Sequence, residues 1–446
     1  MFKSQGGFDL VLGNPPWIKV EWEEGGVLGD TEPRFVLRSF SATQLRSLRE
    51  DTFYEHPNLE ARWRGEFAAS DGLQSFLSSS SNYPELRGIQ ANLYKCFLPQ
   101  AWNATNETGA SAFLHPEGVF DDPRGGRLRA LLFARLRRHF QFINERKLFE
   151  DVQNQRLFGI CVYSEAASNI EFDSISNLFH PVTVEHSYTS VGFSPVPGIK
   201  RIEIDHGVVS TSWDLLGHRR RILRITEKEL SLFALLYDEA GTPPEQARLP
   251  ALHAQELISV LERFAACPRR LDDLKEEYVS TVMFDETYAQ RDGIIRRETK
   301  FPESVEEWVL QGPHFFVGTP LYKTPRRVCA NHRAYDVVDL TYVPDQYLPR
   351  TNYVPACERD EYLSRVPRVS WSGEGEAGQR RVTEFYRLCV SRAISASGER
   401  TLQPAIIPPG VAHIDGVFSI CFKDLNELLP TVGLWSSLPV DFFVRS

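Results

Sequence analysis

A chain of 446 residues, 42% hydrophobic and 12% aromatic, carries enough apolar side chain for a large core and a length suited to two or three domains. No run of about 18 apolar residues occurs, and Met1-Phe2-Lys3-Ser4-Gln5 offers no apolar signal core. A membrane helix and a secretory leader are therefore not expected, and the cytoplasm is the default location. The net charge of −9 argues against a generic nucleic-acid coat, although a summed charge leaves room for local basic patches. The seven cysteines are scattered without a CxxC or a histidine spacing that would hold zinc, so idle thiols and no metal are expected.

The first predicted element is Phe8-Asp9-Leu10-Val11-Leu12, a β-rich apolar run that stops at Gly13-Asn14-Pro15-Pro16-Trp17. It reads as a buried parallel strand ending in a rigid loop. Residues 38 to 53 read as an exposed helix, while Gly25-Gly26 and the serines from Ser78 to Ser81 read as mobile loop. The segment from Ile89 to Leu98 places Leu93, Phe97 and Trp102 near one helical face, with Pro99 disturbing the last turn.

Ala110 to Leu114 follows as a strand, then a helix from Gly126 to His139, then strands at 140–144 and 157–163; this alternation predicts an α/β sheet. Beyond Ser168 short strands mix with turns, Thr226-Glu227-Lys228-Glu229 reads as a capping box for a helix through Tyr237, and a further helix is expected from His253 to Ala266. From Trp308 on, proline, aromatic residues and short extended runs suit an irregular α+β domain.

Asn14-Pro15-Pro16-Trp17 carries the chemistry. Prolines fix φ and remove amide donors, so the turn holds its carbonyls and the Asn14 side chain in one orientation at the carboxyl end of a strand, where open α/β sheets place their sites. The exocyclic amine of a base is a poor nucleophile because its lone pair is delocalised into the ring. The Asn14 amide oxygen and the Pro15 carbonyl could accept its two hydrogens and direct the lone pair toward an electrophilic methyl group. Trp17 offers a flat face to an extruded base. A proline-rich turn after a strand, with no catalytic role, is the bland reading of the same residues.

Phe8 to Trp17 resembles catalytic motif IV of the TaqI-like adenine-specific DNA methyltransferases, of the type IIG and BREX kind. The resemblance continues through Asn92 to Leu98, Phe113 to Pro116 with Gly126 to Arg129, and Leu148 to Val152 before the strand from Phe158 to Val162. It implies an S-adenosyl-L-methionine-dependent enzyme acting on double-stranded DNA with a flipped adenine. It gives Phe149 the opposite face of that base, a plain core role being the alternative. Gly312 to Gly318, Glu399 to Leu402, Ile406 to Gly410 and Ser437 to Phe442 resemble parts of the family's target-recognition domains.

The family carries its glycine-rich cofactor loop ahead of motif IV, where this chain has seven residues, so the expectation is a fragment or split gene whose cofactor pocket is incomplete. Gly373 to Gly378 matches GxGxxG, but a flexible acidic turn is the preferred reading. Basic residues run from Arg124 to Lys147 and from Arg219 to Arg224. Arg124, Arg127, Lys323, Arg326 and Arg327 are the candidates for contact with DNA phosphates.

The expected fold is a partial, Rossmann-like methyltransferase sheet lacking its N-terminal cofactor half (1–168), a helical connector (169–305) and a partial α+β target-recognition domain (306–446). The expected activity is site-specific adenine methylation in a restriction-modification or phage-defence system. The alternative is a non-catalytic DNA-binding specificity module that needs a partner chain carrying the cofactor loop.

Overall fold

In a computed structural model of the chain, the structure describes residues 6–38, 40, 42–90, 92–205, 208–274, 276–331, 333–371, 379–393 and 400–445. The glycine-rich stretch from Gly373 to Gly378, Glu399, and the terminal Ser446 lie outside them. The chain forms two compact units, Met1–Ala266 and Cys267–Ser446. No helix among the described residues is long and apolar enough to cross a membrane.

The N-terminal unit is built on a mixed six-stranded sheet. The apolar run after Gly7 forms β1 (Phe8–Gly13). Four helices follow: α1 (Glu24–Gly29), α2 (Arg34–Leu37), α3 (Ala42–Glu55) and α4 (Pro57–Ser78). Then come α5 (Leu93–Ala104), β2 (Thr105–Pro116), α6 (Gly118–Asp121), α7 (Gly126–Arg135), β3 (Leu136–Ile143), β4 (Leu157–Tyr163), β5 (Glu171–Leu178) and α8 (Val182–Thr189). A hairpin of β6 (Lys200–Asp205) and β7 (Val208–Trp213) precedes β8 (Leu223–Thr226), α9 (Glu227–Tyr237) and α10 (Glu256–Ala265). The strand order is β1-β2-β4-β3-β5-β8. The pairs β1–β2 and β3–β5 are parallel and the rest antiparallel.

Several local expectations change. Gly25 and Gly26 lie inside α1, because burial of Leu28 beside Phe35 and Leu59 outweighs the poor helix propensity of glycine. α5 runs through Pro99 to Ala104. Its buried face is Tyr94, Leu98 and Ala101, while Phe97, read as sharing one helical face with Leu93 and Trp102, is exposed. α7 ends at Arg135, not His139, since Leu136 is fully buried and opens a strand paired on both sides. The capping box at Thr226 and Glu229 forms as expected, with the Thr226 amide donating to Glu229 at 3.0 Å.

β1 departs most from its sequence reading. It was expected to be buried, and it stands at the edge of the sheet with Leu10 58% and Leu12 67% exposed. Parallel strands are ordinarily covered on both faces, which is why their sequences read as continuous apolar runs. β1 has that sequence without that cover.

The C-terminal unit is α+β, with its strands shared among small sheets. In chain order it contains β9 (Tyr278–Thr281), α11 (Glu286–Arg291), β10 (Ile295–Lys300), β11 (Val309–Leu310), β12 (Lys323–Pro325), β13 (Tyr335–Val337) and β14 (Thr351–Pro355). α12 (Arg359–Ser364), β15 (Arg387–Ser391), β16 (Pro404–Ile407), β17 (Ala412–His413), β18 (Val417–Phe422), α13 (Leu425–Trp435) and α14 (Leu438–Arg445) complete it. The largest sheet is β16-β15-β18-β9, all antiparallel. Trp308, Leu310, Phe315 and Ile407 share one core; Ile295, Val309, Tyr353 and Val369 share another.

Candidate active site

At Gly13 β1 lies close against β2, and a Cβ there would come 3.0 Å from the Phe113 ring. A side chain there would press on that ring and require it to shift by a few tenths of an ångström. The loop that follows is anchored alternately: Pro15 is buried, Trp17 half-buried, Asn14 and Pro16 exposed. Trp17 turns back over the end of β2 and donates from Nε1 to the Leu114 carbonyl at 3.4 Å. Downstream, the Leu93 amide donates to the Ile18 carbonyl at 3.0 Å, tying the loop to the start of α5. The two consecutive prolines fix their own φ, and Asn14 stands exposed at the strand tip before them.

Phe149 arrives at the same place from the β3–β4 connection. Its position is set by Asn144, fully buried, which accepts from the Phe149 amide at 3.0 Å and donates to the carbonyls of Phe149 and Val152 at 2.9 and 2.8 Å. The left-handed turn at Lys147 (φ 55°) brings the chain around to it. The Trp17 and Phe149 rings meet edge to face with centroids 6.2 Å apart and planes at 69°, and Trp17 also lies against Phe158 at 6.1 Å. A base sandwiched between two parallel rings needs about 7 Å, two van der Waals spacings. In this arrangement the two rings therefore touch each other, and a base would take an open face of the pair.

Behind the carboxyl end of β2 lies a buried polar network that the sequence did not announce. Glu117 accepts from His139 Nε2 at 3.0 Å and from Gln141 Nε2 at 3.3 Å, and His139 Nδ1 meets Ser174 Oγ at 2.9 Å. Gly159 makes room for it: a Cβ there would collide with Glu117 Oε1. Tyr94 stacks on His115, with centroids 5.4 Å apart. Burial, reinforced by Glu117, raises the Tyr94 hydroxyl well above the usual phenol range, and burial lowers His115, so both are neutral.

A cavity of about 570 Å³ opens beside the loop, lined by Lys19, Asn92, Tyr94, Lys95, Glu117 and Arg156 among others; Asn14, Pro15 and Trp17 are not in its wall. Asn92 Oδ1 is buried there with no hydrogen-bond partner, an unfilled acceptor. Among the described residues one cluster could ligate a metal, Glu32, Glu55 and His56 around α3, and none of the NPPW residues belongs to it.

The basic runs separate in three dimensions. Arg221 is buried on the carbonyls of Ser176 and Asn177, at 2.7 and 3.1 Å, and burial pulls its pKa down to about 10. Arg220 pairs with Glu256 at 2.6 Å, and Arg224 with Glu171 and Asp173 at 2.8 Å each. Arg219 is exposed, so of these arginines Arg221 is the one buried in the fold, as is Arg129, buried on backbone carbonyls. Arg124 and Arg127 are exposed at the start of α7.

In the C-terminal unit Lys323 lies 5.3 Å over the Tyr322 ring and lines a cavity of about 900 Å³ with Arg297, Gln311, Phe316 and Asn352. Arg326 is paired with Asp336 at 2.8 Å, and Arg327 is exposed.

No family model matches the chain, and no curated protein matches it. Among solved structures, it is similar to the type IIL restriction-modification enzyme MmeI in complex with DNA (11% identity, 96% of this chain and 42% of that one, TM-score 0.36). It is also similar to the type IIG restriction endonuclease BpuSI (11%, 84% and 41%, TM-score 0.27). A third is the type I restriction-modification methyltransferase subunit from Streptococcus thermophilus (16%, 38% and 26%, TM-score 0.21). The chain spans 26% to 42% of the length of these three proteins.

Proposed function

We propose that this chain is the catalytic and DNA-recognising part of an adenine-specific DNA methyltransferase, acting in a restriction-modification or phage-defence system. The observation that carries the reading is the loop at the tip of β1: Asn14 exposed between an apolar strand and the anchored Pro15 and Trp17. An outward carboxamide beside a proline-fixed carbonyl is a pair of acceptors for the two hydrogens of an exocyclic amine. Holding both orients the nitrogen lone pair before the reaction, so that no reorganisation is needed in the transition state. Trp17 and Phe149 present the apolar face on which a base taken out of the duplex stacks. Arg124, Arg127, Lys323 and Arg327 supply phosphate contacts, with Arg326 available if it exchanges Asp336 for DNA.

S-adenosyl-L-methionine is the methyl donor that this chemistry calls for, and it would supply the electrophilic carbon. We assign its pocket to a segment beyond the described residues around Asn14, a reading supported by the outer side of β1, where no described strand pairs and Leu10 and Leu12 are more than half exposed. The donor-binding segment is assigned to a partner chain, or a further stretch of polypeptide, that adds to that edge. The same open edge supports the second reading, a non-catalytic specificity module whose partner does the chemistry.

Methyl transfer to duplex DNA, measured with the chain supplied with its donor-binding partner, separates the two. Asn14→Ala is expected to lower the transfer rate by about 10² to 10³ while DNA affinity stays unchanged. Retained turnover removes the catalytic assignment. Calorimetry with S-adenosyl-L-methionine is expected to give no binding by the chain alone and binding once the partner is added.

A further inference from the structure

α7 begins where positive charge is least welcome. The start of a helix carries the positive end of its dipole and backbone N–H groups without intrahelical acceptors, so it ordinarily attracts an acid or a capping oxygen. At α7 the N-cap is Gly125, no side chain caps it, and the first turn holds no acid. Instead Arg124 and Arg127 flank it, both exposed, and Arg87 approaches from the turn after Leu86. These three arginines line one cavity of about 610 Å³.

The rest of that wall is a fixed frame. Arg129 donates to the Gln246 and Asp122 carbonyls at 2.9 and 2.6 Å, and Arg248 pairs with Asp238 at 3.0 Å. Glu239 is the one other acid in the wall, set against the three arginines. Among the described residues no carboxylate makes an ion pair with the Arg87, Arg124 or Arg127 side chain, while Asp122 Oδ1 accepts from the Arg124 backbone amide at 3.0 Å. Gly125 and Gly126 leave the backbone bare at the turn. A Cβ on Gly126 would come 2.8 Å from Gln246 Oε1, and one on Gly125 2.9 Å from the Arg129 guanidinium. Like charges gathered at the wrong end of a helix, around a space of ligand size, are balanced by an anion.

We infer that Arg87, Arg124 and Arg127, with the amide end of α7, form a binding site for a phosphate group. The source is either a phosphodiester of duplex DNA or a free phosphorylated small molecule. The DNA source rests on the function proposed above; the free source does not.

The test uses the full chain and the triple variant Arg87→Gln, Arg124→Gln, Arg127→Gln, whose exposed positions leave the melting temperature unchanged. Duplex affinity is followed by fluorescence anisotropy across a salt series, and pyrophosphate binding by calorimetry. If DNA is the source, the slope of log K against log salt becomes shallower by about 0.9 for each phosphate that the variant no longer neutralises. Asn14→Ala, measured in parallel, keeps the wild-type slope. If a free phosphate is the source, the triple variant loses pyrophosphate binding and keeps its DNA slope. A triple variant with the wild-type slope and wild-type pyrophosphate binding overturns the site, as does a wild-type chain that binds neither probe. A wild-type chain that binds pyrophosphate but no duplex sinks the DNA-methyltransferase reading and leaves the phosphate site standing.

Discussion

The two units place their apolar side chains differently. The N-terminal unit has the more regular architecture, one six-stranded sheet with helices between its strands, yet that sheet ends on an apolar strand left in solvent. The C-terminal unit distributes its strands over small sheets, yet it encloses Trp308, Arg387 and His413 almost completely. Regular strands can advertise a surface meant to be covered, whereas an irregular unit can still enclose a core, even with Leu434 and Leu438 left at its surface. The mutations that hurt most should therefore lie in the irregular unit, and those that hurt least on the best-formed strand motif in the sequence.

The largest expected effect is Trp308→Ala. Its ring is 1% exposed within the core shared with Leu310, Phe315 and Ile407, so truncation should cost about 3 to 5 kcal/mol in urea unfolding. A loss below about 1 kcal/mol would mean that this core is loose. Acid should come next. Burial, helped by the Arg387 charge, pushes His413 down to about 3, and burial lowers His314 as well.

The folded state keeps His413 neutral while the unfolded chain takes up a proton below about 6.5. The stability from this group is therefore full above about pH 6.5. It is lost as pH falls from there toward about 3, by roughly 1.4 kcal/mol per pH unit. Unfolding midpoints at pH 7 and pH 5 should differ for the wild type and differ less for His413→Gln. An equal pH slope in the variant would show that His413 is not the group responsible.

The strand and turn at 8–17 were legible because period, apolar composition and proline chemistry act locally. The capping box at Thr226 was legible for the same reason. What the sequence could not show was neighbourhood. Whether an apolar strand is central or at an edge depends on what lies beside it, and β1 looks the same in sequence either way. The arginines made the point in both directions: Arg221 is spent on two carbonyls, while Arg124 and Arg127 stay at the surface. Asn144 pins Phe149 from within the same β3–β4 connection, and Glu117 gathers His139 and Gln141, both on β3, from the end of β2. No spacing rule connects them.

A smaller loss is expected from Gly159→Ala. The added methyl would meet Glu117 Oε1 and force a buried carboxylate away from His139 and Gln141, at a cost of about 1 to 3 kcal/mol. Thermal unfolding of the variant checks the value, and a neutral result would mean that the network has room to shift.

The smallest effect should come from Leu10→Thr with Leu12→Thr on β1. Both side chains lie on one face of an edge strand and are more than half exposed, so little burial is lost and each change should alter unfolding by less than about 0.5 kcal/mol. Their consequence lies in association. An apolar edge with unpaired backbone groups is a template for another strand, and threonine keeps the β propensity while removing the apolar stripe. Sedimentation of the chain alone should show less self-association in the double variant, and titration with a donor-binding partner should show weaker assembly. A loss of several kcal/mol in the isolated chain would mean that Leu10 and Leu12 already have their cover. The contrast between the open edge of the N-terminal sheet and the enclosed core around Trp308 would then fail at the strand that defines it.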